Sequence, residues 1–128
     1  MKREVVLSVL ILMIASAFFI NGCSKEKTTM ELNSSVCGLE IGQLNLSDYG
    51  VKGSEWLSGD KLRVTALIRT NCAETVKNGN FNIEENKIIL YYQIEKCNVC
   101  ATCMCPKYLT YTFDNLEKKD YVFELKEI

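Results

Sequence analysis

Residues 61–70 read Lys-Leu-Arg-Val-Thr-Ala-Leu-Ile-Arg-Thr, and residues 87–95 read Lys-Ile-Ile-Leu-Tyr-Tyr-Gln-Ile-Glu. In the first stretch Leu62, Val64, Ala66 and Ile68 take the even positions, with Arg63, Thr65 and Arg69 facing the other way. Successive strand side chains point to opposite faces, so a period of two describes a half-buried strand with one wet face. In the second stretch Ile88, Leu90, Tyr92 and Ile94 share a face. Ile89 and Tyr91 make the other face apolar as well, so this strand is expected to be partly covered on both sides.

Working outward, Asn80 to Glu84 sets Phe81 and Ile83 together, and Glu85-Asn86 forms the turn into residue 87. Lys107 to Phe113 aligns Leu109, Tyr111 and Phe113, and Tyr121 to Lys126 aligns Tyr121, Phe123 and Leu125. β-Branched and aromatic residues dominate these runs, as strands prefer. Asp48 to Asp60 carries turn residues around Trp56-Leu57, read as a short extra strand whose indole packs on the core. Leu39 and Ile41 are out of phase with Leu44 and Leu46, with Gly42 between them as a bulge. Six or seven short strands, with no helical period beyond the N-terminal segment, predict an all-β antiparallel sandwich over residues 36–128.

Before that domain, Lys2 and Arg3 precede an apolar run from Val5 to Ile20, which closes in Ile20-Asn21-Gly22-Cys23. This order of charge, apolar run and small residue before cysteine resembles the bacterial lipoprotein signal peptide. The resemblance covers residues 1–22 as the signal and implies that Cys23 carries acyl chains such as palmitate. It implies a protein attached to a membrane of the bacterial cell envelope with its domain outside the cytoplasm. Ser24, in place of the aspartate that marks inner-membrane retention, favours the outer membrane where a cell has one. Residues 23–35 read as the lipidated cysteine and a disordered polar tether.

Leu116-Glu-Lys-Lys-Asp-Tyr121, ahead of the last strand, is similar to the corner of immunoglobulin-like and fibronectin type III-like bacterial domains. The resemblance implies an immunoglobulin-like sandwich in which the Tyr121 hydroxyl bonds back to the backbone. The turn here carries Lys118-Lys119-Asp120 where those domains usually hold glycine.

Seven cysteines and no histidine restrict the chemistry. The missing imidazole excludes Ser-His-Asp and Cys-His nucleophile schemes, and no glycine-rich phosphate loop is present. No cofactor and no enzymatic activity are expected. A net charge of −1 is too balanced for a nucleic-acid binder. The partners expected are the membrane, through the lipid on Cys23, and a protein or glycan at the envelope.

Beyond Cys23 the cysteines are Cys37, Cys72, Cys97, Cys100, Cys103 and Cys105. If consecutive strands alternate in direction, the 61–70 strand rises to Cys72 and the 87–95 strand rises to Cys97. Cys37, opening a descending first strand, joins them, so all six collect at one pole. An even count in an oxidising compartment points to three disulfides, with fifteen possible connectivities. Cys103 and Cys105 splay by strand alternation and are not expected to pair. Cys37 and Cys72 are each expected to reach into 97–105, leaving one pair inside it. The alternative is a copper or zinc site built from Cys97, Cys100, Cys103 and Cys105 with the Met104 thioether. A third reading is a cycling redox pair.

Overall fold

A computed structural model describes residues 25–37 and 45–128. Readings that fall on Cys23, the apolar segment and the Leu39–Leu44 stretch lie outside those residues. Seven strands run in chain order: β1 (Thr29–Ser34), β2 (Gly50–Trp56), β3 (Leu62–Asn71), β4 (Thr75–Glu84), β5 (Lys87–Glu95), β6 (Met104–Asp114) and β7 (Val122–Glu127). A single 3-10 turn at Leu46–Asp48 precedes β2. The strands form two sheets, ordered β1-β6-β3-β2 and β4-β5-β7.

The even residues of β3 form the inner face of the first sheet, as their alternation requires. Leu62, Val64 and Ala66 stand opposite Phe113, Tyr111 and Leu109 of β6 in antiparallel register. Facing them, Ile88, Leu90 and Ile94 of β5 complete one core with Leu116. Burying each such large apolar side chain contributes about 1.5–3 kcal/mol. Across the sheets, Phe81 meets Phe113 edge-on with ring centroids 5.2 Å apart. The Tyr111 hydroxyl donates to the Tyr91 carbonyl at 3.1 Å, linking β6 to β5. Ile89 is buried and Tyr91 half-buried on the outer face of β5, while Gln93 and Glu95 are exposed, so that strand is partly covered on both sides. Trp56 packs partly buried against the core, beside Tyr121.

The β4–β5 connection is the two-residue turn Glu85-Asn86, closed by Glu84 opposite Lys87. Glu85 takes a positive φ of 56° there, and Glu84 and Glu85 are both exposed. At the β6–β7 corner, Leu116 is buried and the Tyr121 hydroxyl donates to the Glu117 carbonyl at 2.7 Å.

Three expectations are corrected. Residues 29–34 are a strand and not part of a disordered tether: β1 pairs antiparallel with β6 from Thr29 opposite Asp114 to Ser34 opposite Leu109. Its sequence is polar because β1 is an edge strand, and only Met30 and Leu32 pack against the core. β7 runs parallel to β5, the one parallel pair among the described residues. The strand order is also not that of immunoglobulin constant domains, where the first strand pairs with the second; here β1 lies beside β6.

Candidate functional site: the half-cystine pole

β3 and β5 both rise to one end of the sandwich, and the chain reverses there. At the end of β3 the backbone turns through Asn71-Cys72-Ala73-Glu74, with the Glu74 amide donating to the Asn71 carbonyl at 3.0 Å. The side chains close the turn from both sides. Asn71 Oδ1 accepts from the Ala73 amide at 3.0 Å, and Glu74 Oε2 accepts from the Asn71 amide at 3.0 Å. Asparagine favours such turns because its amide mimics a backbone hydrogen bond.

The same Asn71 amide holds the neighbouring loop. Its Nδ2 donates to the Ala101 carbonyl at 2.7 Å, and its Oδ1 accepts from the Ala101 amide at 3.2 Å. The Cys72 amide then donates to the Cys103 carbonyl at 3.1 Å, bringing the two residues together before any sulfur is considered. On the other flank of β6, the Ser35 amide donates to the Tyr108 carbonyl and the Tyr108 amide donates to Ser35 Oγ, both at 2.9 Å. These bonds carry the β1–β6 alignment onward to Cys37 and Cys105.

All six domain cysteines are gathered at this pole in three disulfides. Cys37 pairs with Cys105 and Cys72 with Cys103, each with Cα atoms 5.7 Å apart; Cys97 pairs with Cys100 at 5.2 Å. These separations lie in the range a disulfide spans without moving the backbone. The start of β6 is therefore bonded on both flanks, to the chain leaving β1 and to the chain leaving β3. Cys103 and Cys105 do not pair with each other. Cys105 is inward and 3% exposed, while Cys103 is exposed.

Cys37 follows an ascending strand, β1, because β1 and β3 are both antiparallel to β6; the descending strand expected to begin at Cys37 lies outside the described residues.

The three links differ in what they constrain. Two close chain separations of 68 and 31 residues, and the third closes a separation of 3. On the loop-entropy account the first two each stabilise by about 4 kcal/mol and the third by about 2 kcal/mol.

The proposed metal set Cys97, Cys100, Cys103, Cys105 and Met104 is not assembled as ligands. Its four cysteine sulfurs are divided among three disulfides, two of which reach outside the set. Among the described residues no group of three or more His, Cys, Asp or Glu is gathered to hold an ion.

Beneath the disulfides the inward row of β6 turns polar. Lys107 stands opposite Ile68, is 5% exposed, and its ammonium donates to the Glu74 carbonyl. Thr70, opposite Cys105, is 1% exposed and its hydroxyl has no hydrogen-bond partner. A cavity of about 370 Å³ lies here, lined by Cys37, Cys72, Glu74 and Lys107 among others. Lys107 was not singled out in the sequence, although its phase with Leu109, Tyr111 and Phe113 was a signal that it faces inward. The roles of Asn71, at the end of β3, and of Glu74, in the turn after it, had no signal until the neighbouring loop is in place.

The opposite pole holds a wider opening of about 620 Å³. It is lined by Lys25, Lys27, Asp60, Glu117, Lys119 and Tyr121 among others, with both signs of charge intermixed.

Fold and site together define an all-β sandwich module stapled by disulfides at one pole. No protein-family model, curated protein or solved structure matches the chain.

Proposed function

We propose that this chain is a lipid-anchored module of the bacterial cell envelope, a binding or structural protein that presents its disulfide-stapled pole away from the membrane. The observation carrying this reading is where β1 begins. Thr29 pairs with Asp114 at the pole opposite the cysteines, six residues after Cys23. Six extended residues span at most about 20 Å. An anchor at Cys23 therefore keeps the Asp60 and Asn115–Tyr121 end close to the bilayer. The ten residues of β3 separate the two poles by about 33 Å.

Disulfides persist in oxidising compartments, which supports a domain outside the cytoplasm. Acyl chains on Cys23 add about 0.8 kcal/mol per buried methylene, and two or more chains give a stable anchor. The outer membrane is the destination where the cell has one. At the outward pole Val36 and Val99 are 86% and 89% exposed, so apolar contacts for a protein or glycan partner are available on loops.

The test is fatty-acid labelling of the expressed full chain, followed by membrane fractionation and mass measurement of its N-terminal peptide. Acyl mass on Cys23 is expected, and Cys23→Ala should abolish both label and cleavage at that residue. An unmodified Cys23 in a mature chain released to the soluble fraction would overturn the reading.

A further inference from the structure

We propose that Cys97–Cys100 is a thiol–disulfide exchange site taking a dithiol as co-substrate, while Cys37–Cys105 and Cys72–Cys103 are permanent structural links. This inference goes beyond the anchored-module reading and does not depend on the lipid.

The division follows from how each sulfur pair is held. Cys37–Cys105 and Cys72–Cys103 tie strand ends that are distant in sequence, and Cys105 is buried. Cys97–Cys100 closes a separation of 3 in a loop between β5 and β6. Opening it releases no strand. On its N-terminal side Glu95 remains paired with Thr75 in the β4–β5 ladder. On its C-terminal side the Asn71 amide still grips Ala101, and Cys103 is still bonded to Cys72. The four-residue segment is thus bracketed by fixed points and can pass between oxidised and reduced forms with the fold in place.

Within this pair access is uneven. Cys100 is exposed and Cys97 half-buried, and Val99 between them offers an apolar contact at the loop tip. Cys97 Sγ also lies 3.9 Å from Glu74 Oε1. Cys100, the more exposed of the two, is the sulfur attacked.

In the step, a thiolate of the dithiol forms a bond to Cys100 Sγ and the Cys97–Cys100 bond breaks. The electron pair departs on Cys97 Sγ, which takes a proton from solvent and can then donate its S–H to Glu74. The second thiol of the co-substrate, deprotonated, displaces Cys100 as thiolate, which is protonated in turn. The dithiol is oxidised to a disulfide by two electrons, and Cys97 and Cys100 become thiols. Run in reverse, the reduced pair reduces a disulfide.

The test is titration of the native protein with dithiothreitol, quenching by alkylation with a mass label, and mapping of the labelled peptides. Cys97 and Cys100 are expected to label together at a dithiothreitol concentration about tenfold or more below that opening the other pairs. The circular dichroism of the two-thiol form should match that of the oxidised protein. Short exposure to reduced glutathione should place the mixed disulfide on Cys100. Simultaneous opening of all three links, earlier opening of Cys72–Cys103, or loss of fold in the two-thiol form would overturn the proposal. A mixed disulfide on Cys97 would overturn the assigned point of attack. The Cys97→Ser/Cys100→Ser variant is expected to fold and to consume no dithiothreitol in that low range; consumption there would also overturn it.

Discussion

Leu32 of β1 lies over Gly79 of β4 so closely that a β-carbon on residue 79 would stand 2.5 Å from Leu32 Cδ2 and 2.8 Å from Leu32 Cβ. The two residues belong to different sheets, and their contact closes one side of the sandwich where β1 crosses β4. Gly79 is required there by close approach, not by an unusual backbone angle.

Gly79→Ala follows as the first prediction. Rotating the Leu32 side chain moves Cδ2 aside but leaves its Cβ in place, so one of the two strands must shift. Overpacking of this kind costs about 1–3 kcal/mol. Urea unfolding of the alanine variant should show a lower midpoint with an unchanged slope. An unchanged midpoint would mean that β1 is not seated as described.

How much of this was legible in the sequence depended on whether a strand is buried on a regular period. β3 and β5 declare themselves because their inner residues contact the opposite sheet without interruption. β4 showed only its second half: the ladder to β5 shifts register between Val76 and Asn78, which breaks the alternation just where Thr75 to Gly79 would have signalled a strand. β1 was hidden for another reason. An edge strand with two partly buried residues among polar ones has the composition of a linker, and only pairing with β6 distinguishes it.

The gathering of the cysteines was legible because strand direction alone carries chain ends to a pole. Cys37 arrives there on β1, a strand the sequence did not reveal, because β1 and β3 point the same way. The Asn71 clamp on Ala101 had no signal in sequence, because it joins two loops thirty residues apart.

Removing the disulfides in pairs should rank them. Cys37→Ser/Cys105→Ala and Cys72→Ser/Cys103→Ser each release a long loop in the unfolded chain and are expected to lose about 2–4 kcal/mol. Cys97→Ser/Cys100→Ser should lose about 2 kcal/mol or less, by the same loop-length dependence. Alanine is preferred at Cys105 because a hydroxyl would be buried there without a partner. Chemical denaturation of the three double variants gives the order directly, and a larger loss for the 97–100 pair would contradict the loop account.

Thr70 offers a gain. Its hydroxyl is buried opposite Cys105 with no hydrogen-bond partner. Burying such a group costs about 1–3 kcal/mol relative to a satisfied or apolar one. Thr70→Val keeps the β-branched shape and replaces the hydroxyl with a methyl group, so stability should rise by about 1 kcal/mol. A fall in the denaturation midpoint would show that the hydroxyl is satisfied in solution.

Alkali tests the core from the other side. Burial, with the nearby Tyr92 adding to it, pushes the Tyr111 phenol well above its ordinary range. Burial and Glu127 push Tyr92 up, partly opposed by Lys96, while burial and Glu117 push Tyr121 up. Lys96 and Lys126 are raised by hydrogen bonds to Glu127 and Glu124. In every case the folded state holds its proton more tightly than the unfolded chain. The stabilisation is therefore complete below the unfolded value, about 10 for tyrosine, and declines as pH rises above it towards the folded value. Tyr111→Phe removes the hydrogen bond to the Tyr91 carbonyl, at a cost of about 1 kcal/mol near neutrality. It also removes the phenol most affected by burial, so its stability should fall less steeply than the parent's above pH of about 10. Urea midpoints measured for both proteins at neutral and alkaline pH should converge as pH rises. Parallel curves would show that Tyr111 ionises alike in the folded and unfolded chains, which its place between β6 and β5 does not allow.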